Sequence, residues 1–113
     1  MPSEPAITRF FGTNVSQNLE NLTIKKSDLV APTGLSPSYE FTPSELNRSE
    51  QLATALLLKW QRNQDVSADS QLVLSTFEQQ LVFRFGKWQR QYTMTIDIYV
   101  DDNVNNLPNP NLL

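Results

Sequence analysis

A single glycine in a run of alternating side chains constrains this chain most. Phe85-Gly86-Lys87-Trp88 interrupts a stretch from Leu72 to Val100 in which apolar and polar residues alternate. Alternation of period two is the pattern of a β-strand, and a glycine in its middle marks a tight turn. A type II′ loop needs positive φ at its first central residue, which suits Gly86. With Phe85 opposite Trp88, one face carries Phe85, Trp88, Phe83, Arg90, Leu81 and Tyr92. The other carries Arg84, Gln89, Val82, Gln91, Gln80 and Thr93. A slip of one residue would mix the two faces, so the pattern favours this register. The spacing predicts a long hairpin, about 72–85 with 88–100. Glu78-Gln79 breaks the apolar face and is the expected place of a bulge.

Upstream lies a helix signal. Thr42-Pro43-Ser44-Glu45 places Thr at the N-cap, Pro at the first helical position and Glu where it can reach back to the cap amide. Leu46, Ser49, Ala53, Leu56, Leu57 and Trp60 follow at helical spacing as the candidate buried face. Lys59 and Arg62 fall in the last turns, where the helix dipole favours cations. The expected fold class is α+β. One amphipathic helix, about 43–63, packs on an antiparallel sheet built on the hairpin, with extended N- and C-terminal arms. Residues 1–41 read as an N-terminal arm, 42–101 as the core domain and 102–113 as a polar C-terminal arm. A core of about 60 residues is thin. Strands from Arg9-Phe10-Phe11 or Leu22-Thr23-Ile24, or a partner chain, are expected to complete it.

Composition then narrows the chemistry. The 113 residues include no His and no Cys. Disulfides, thiol nucleophiles, His general bases and the usual zinc ligands are therefore excluded. The three glycines, Gly12, Gly34 and Gly86, are isolated and form no phosphate loop. Ten Asn, nine Gln, ten Ser and nine Thr make 38 neutral polar residues against 21 charged ones, so hydrogen bonding to this surface is mostly uncharged. The longest apolar run, Ala55-Leu56-Leu57-Leu58, is far below the roughly 20 residues that span a bilayer. No basic leader followed by an apolar stretch opens the chain. The expectation is an intracellular, cytoplasmic or virion protein with no membrane contact and no cofactor or metal.

Four constellations remain. Arg84, Phe85, Lys87, Trp88, Arg90 and Tyr92 combine cations with aromatic rings, and residues 79–96 contain no acid. Such a mixture suits single-stranded nucleic acid, since rings stack bases and cations neutralise phosphates. The predicted register instead makes Trp88 and Tyr92 core residues with Arg90 at the rim, and the net charge of −3 opposes nucleic acid. Asp101-x-Asn103-x-Asn105 copies the start of a calcium loop but lacks its glycine and its final glutamate. Glu78 and Asp97 share the polar hairpin face, which is flat and carries no cleft for acid–base chemistry. Finally, Gln89 and Gln91 line that polar face beside an open edge, and Asn-Pro-Asn-Leu-Leu ends the chain with Leu112 and Leu113 as anchors.

The candidate partner-binding residues are therefore Arg84, Lys87, Gln89, Gln91, Leu112 and Leu113. The function expected is that of a non-enzymatic structural or assembly subunit acting through protein–protein contacts, as a homo-oligomer or in a larger assembly. A phage capsid or tail accessory protein is its most concrete form. The alternative is a small nucleic-acid-binding module using the hairpin tip.

Overall fold

The computed structural model describes residues 4–102 and 106–113. The fold is α+β, with one main helix and antiparallel strands in small sheets. Two compact units divide the chain, Glu4–Asp65 and Val66–Leu113. The helix lies in the first and the long hairpin in the second.

The first unit begins with α1 (Ile7–Phe11). A two-residue ribbon follows, β1 (Ser16–Gln17) with β2 (Leu22–Thr23). Its loop is held by the Asn18 carboxamide, which accepts from the amides of Glu20 and Asn21 at 2.9 and 2.8 Å. A 3₁₀ turn at Lys26–Leu29 comes next, then α2 (Ser49–Asn63). The region expected as an extended N-terminal arm thus folds with α2 in one unit. Arg9-Phe10-Phe11 is helical rather than a strand, and Leu22-Thr23 pairs with Ser16-Gln17 rather than with the hairpin.

α2 starts six residues later than the Thr-Pro-Ser-Glu signal predicts. Asn47 explains the delay. Its Oδ1 accepts from the Ser44 amide at 2.8 Å and its Nδ2 donates to the Thr42 carbonyl at 3.1 Å, closing a local turn that competes with the helix. The Arg48 amide then donates to Gln51 Oε1 at 2.8 Å, capping the real first turn. The guanidinium of Arg48 cannot accept in return, so the cap is one-sided.

The buried face of α2 also differs from the expected one. Ala55 and Lys59 are buried, whereas Leu46, Ser49 and Ala53 are exposed. α2 packs on α1 and on the 3₁₀ turn. Trp60 Nε1 donates to the Phe10 carbonyl at 2.9 Å, and the indole meets the rings of Phe10 and Phe11 at 5.9 Å each. An indole half withdrawn from water gains from such an acceptor for its N–H. Leu29 is the buried residue of the 3₁₀ turn. Its carbonyl accepts from the Tyr39 hydroxyl at 3.0 Å, and that hydroxyl accepts from Arg62 at 3.1 Å.

In the second unit β4 (Glu78–Arg84) pairs with β5 (Lys87–Thr93), and β3 (Leu72–Leu74) pairs with β6 (Ile96–Ile98). The hairpin stands where the glycine predicts it, but its register is different. Arg84 faces Lys87 and Phe83 faces Trp88, so the loop is Phe85-Gly86. Both loop residues have positive φ, 53° and 73°, which is the type I′ turn. Relative to the expected pairing the strands slip by two residues. A slip of two preserves every face assignment, so alternation cannot detect it. Only the loop distinguishes the registers.

The bulge lies at Thr76-Phe77, just before the expected Glu78-Gln79. Ser75 still donates its amide to the Thr95 carbonyl at 2.9 Å, while Glu78 already faces Thr93. Thr76 and Phe77 therefore oppose Met94 alone. Thr95 N donates to Ser75 Oγ at 2.7 Å and closes the gap. The extra residue changes the parity of the pairing. Leu72 and Leu74, which the expected continuous hairpin would leave opposite Asp101 and Tyr99, face Ile98 and Ile96 instead.

Candidate functional surface: the open hairpin

The β4–β5 hairpin is a ribbon of two strands among the described residues, and its apolar face is open. Leu81 is 59% exposed, Phe83 62%, Phe85 83%, Trp88 69% and Tyr92 58%. The expectation that Trp88 and Tyr92 are core is overturned. A two-stranded ribbon has one layer, and without a covering element its larger side chains stay in solvent. The rings cover one another only in part. Phe83 and Trp88, directly opposite, meet edge to face at 5.3 Å, and Phe77 meets Tyr92 at 6.2 Å. Large exposed apolar groups gathered on one face mark surfaces that meet something.

Arg84 and Lys87 face each other at the tip, where like charges oppose directly. Arg84 turns its guanidinium onto the Phe85 ring, 5.0 Å from the centroid. Gln89 is half-buried opposite Val82. Gln91 stands opposite Gln80 and accepts a hydrogen bond from its carboxamide. These four candidates therefore share one ribbon, with the aromatic residues on its other face. Leu112 and Leu113 are exposed at the end of a 3₁₀ turn, Pro110–Leu112, capped by Asn109 Oδ1 at 3.0 Å from the Asn111 amide. The expected extended C-terminal arm thus ends in a helical turn. The Asp101-x-Asn103-x-Asn105 spacing lies partly outside the described residues. Glu78 and Asp97 are exposed and sit on different ladders.

Two features of the first unit escape the sequence reading. The first is an open groove of about 530 Å³ between residues 39–42 and α2, lined by Tyr39, Phe41, Thr54, Ala55 and Leu58 with Glu40 and Glu50. The second is Lys59, only 8% exposed. Burial pushes its ammonium below the ordinary lysine range; Arg62 adds to that shift and Asp28 opposes it. Asp28 is itself engaged. Its carboxylate accepts from the Asn14 amide at 3.1 Å and from the Asn14 carboxamide at 3.1 and 3.2 Å. It also packs against Gly12, where an added Cβ would overlap Asp28 Cβ and φ is +96°. Only glycine fits there. Asp28 thus ties the segment that follows α1 to the 3₁₀ turn, and among the described residues no group of three metal-ligating side chains forms around it or elsewhere. No described helix is long and apolar enough to cross a membrane.

Comparison with protein-family models, with curated proteins and with solved structures finds no match to this chain.

Proposed function

We propose that this chain is a non-enzymatic assembly subunit that acts through protein–protein contacts made by its hairpin. A component of a larger particle, such as a phage capsid or tail accessory protein, is the concrete form. One observation carries the reading: Leu81, Phe83, Trp88 and Tyr92 are held in solvent on one face of a two-stranded ribbon. A lone ribbon is marginally stable, and a partner surface laid on that face would bury the rings and steady the ladder at once. The neutral glutamines on the other face form hydrogen bonds without the desolvation cost of charges.

The test is incorporation of tagged chain into particles of its native source, comparing the parent with the Trp88→Ser, Tyr92→Ser variant. The variant is expected to be excluded while its thermal unfolding stays near the parent's. Equal incorporation would end the reading.

A second reading has its own observation. Phe85 and Trp88 are exposed beside Arg84 and Lys87, which is a stacking and charge arrangement for single strands. It predicts salt-dependent binding to a mixed-sequence single-stranded oligonucleotide, weakened by Arg84→Gln and Lys87→Gln. No binding at low salt would remove it.

A further inference from the structure

The outer edge of β4 is unpaired among the described residues, because the sheet there contains β4 and β5 alone. Which groups that edge offers follows from the loop. The residues flanking a two-residue loop form a hydrogen-bonded pair, so Arg84 points its backbone groups at Lys87. The pattern then alternates. Arg84, Val82, Gln80 and Glu78 are bonded to β5, and Phe83, Leu81 and Gln79 turn their N–H and C=O outward.

The order of side chains along this edge is Glu78-Gln79-Gln80-Leu81-Val82-Phe83-Arg84. It has an acid at one end, a base at the other and a leucine at the centre. Laid antiparallel against itself, it complements itself. We propose that β4 pairs with β4 of a second copy of this chain about a twofold axis at Leu81, giving a four-stranded antiparallel sheet. Leu81 faces Leu81 of the other copy, Gln79 faces Phe83 and Gln80 faces Val82. Glu78 faces Arg84 at both ends. The three outward residues fall in hydrogen-bonded pairs and supply about six backbone bonds. Glu78 and Arg84 fall in a non-hydrogen-bonded pair, where opposed side chains approach most closely. Both are exposed, and among the described residues neither makes an ion pair.

The other edge of the ribbon does not complement itself. β5 reads Lys87-Trp88-Gln89-Arg90-Gln91-Tyr92-Thr93 and holds no acid. The equivalent twofold pairing would set Arg90 against Arg90. Charge therefore selects β4 over β5 as the dimer edge. A seven-residue edge is at the small end of stable interfaces, so the dimer is expected to form in the micromolar range, at about 1–100 µM. The inference rests on the assembly reading and names one partner in it.

The experiment is light scattering across a concentration series with charge reversal at the edge. The parent is expected to dimerise. Glu78→Arg and Arg84→Glu are each expected to weaken the dimer roughly tenfold or more, since each creates two like-charge pairs. The combined E78R/R84E chain restores opposite charges and is expected to recover parent affinity. Because the chain has no cysteine, Leu81→Cys adds a unique probe at the axis. A short bis-maleimide is expected to cross-link two chains of the Leu81→Cys variant, whereas chains of the Arg90→Cys variant stay uncoupled. A parent that remains monomeric at millimolar concentration, no rescue in the double variant, or cross-linking at position 90 instead of 81 would each overturn the pairing. Failure here with continued exclusion of the Trp88→Ser, Tyr92→Ser variant from particles would leave the assembly reading standing and remove only the self-pairing.

Discussion

Lys-Trp-Gln-Arg occurs twice in this chain, and its two copies meet opposite fates. At 59–62 it ends a helix. Lys59 is buried, Trp60 donates to the Phe10 carbonyl, and Arg62 reaches the Tyr39 hydroxyl. At 87–90 it opens a strand. Trp88 and Arg90 share one face, Lys87 and Gln89 the other, and the tryptophan is in solvent. The letters are the same, but a period of 3.6 turns Lys59 inward while a period of two keeps Lys87 at a ribbon tip. Identical residues become interior or surface according to the layer behind them. The helix has α1 and the 3₁₀ turn behind it, and the hairpin's apolar face is open.

The largest way to break this contrast is to remove both tryptophans in turn. Trp60→Ala is expected to cost the Glu4–Asp65 unit about 3 kcal/mol, through lost ring packing and an orphaned Phe10 carbonyl. Trp88→Ala is expected to cost about 1 kcal/mol or less, since the side chain is largely in solvent and its ring meets Phe83 edge to face. Thermal unfolding of the two variants measures the difference, and equal losses would abolish the contrast. Gly12→Ala sharpens it next. The added methyl collides with Asp28 and the backbone remains at positive φ, so a loss of about 2 kcal/mol or more is expected in a denaturant titration.

What is legible in the sequence divides along physical lines. The helix and its end at Asn63 follow from periodicity, and the hairpin follows from alternation around Gly86. The helix start does not, because Asn47 satisfies the Thr42 and Ser44 backbone in a turn that no propensity count anticipates. The register does not, because a pattern of period two is blind to a shift of two. The candidates Arg84, Lys87, Gln89 and Gln91 fall on one ribbon as expected. The aromatic face beside them reads as core and is open, since sequence shows that a face is apolar and not what covers it. Lys59 reads as a partner of the helix dipole, and its burial in the folded unit is not visible from a last-turn position alone.

Smaller effects probe the loop and that lysine. Phe85→Asn places the preferred residue at the first left-handed position of a type I′ loop, and a gain of about 1 kcal/mol in hairpin stability is expected by amide hydrogen exchange. Lys59→Met removes a buried charge and is expected to raise the melting temperature by a few degrees. The sign of the pH effect follows from the lowered pKa of Lys59 in the folded state. Between that value and the ordinary 10.5 the unfolded chain holds more protons, so the parent gains stability as pH rises. The advantage of Lys59→Met is therefore expected to shrink as the buffer approaches pH 10.5. A constant advantage would place the effect elsewhere. Removing Leu112 and Leu113, both exposed, is expected to change unfolding by less than about 0.5 kcal/mol.

The bulge at Thr76-Phe77 makes chain length count unequally along this hairpin. A one-residue deletion of Thr76 would take out the unpaired residue and leave every pairing of β3 with β6 and of β4 with β5 as it stands. The same deletion inside β4 would turn the remainder of the strand over. Along these few codons, loss of a residue is tolerated at one place and reverses the surface at the next.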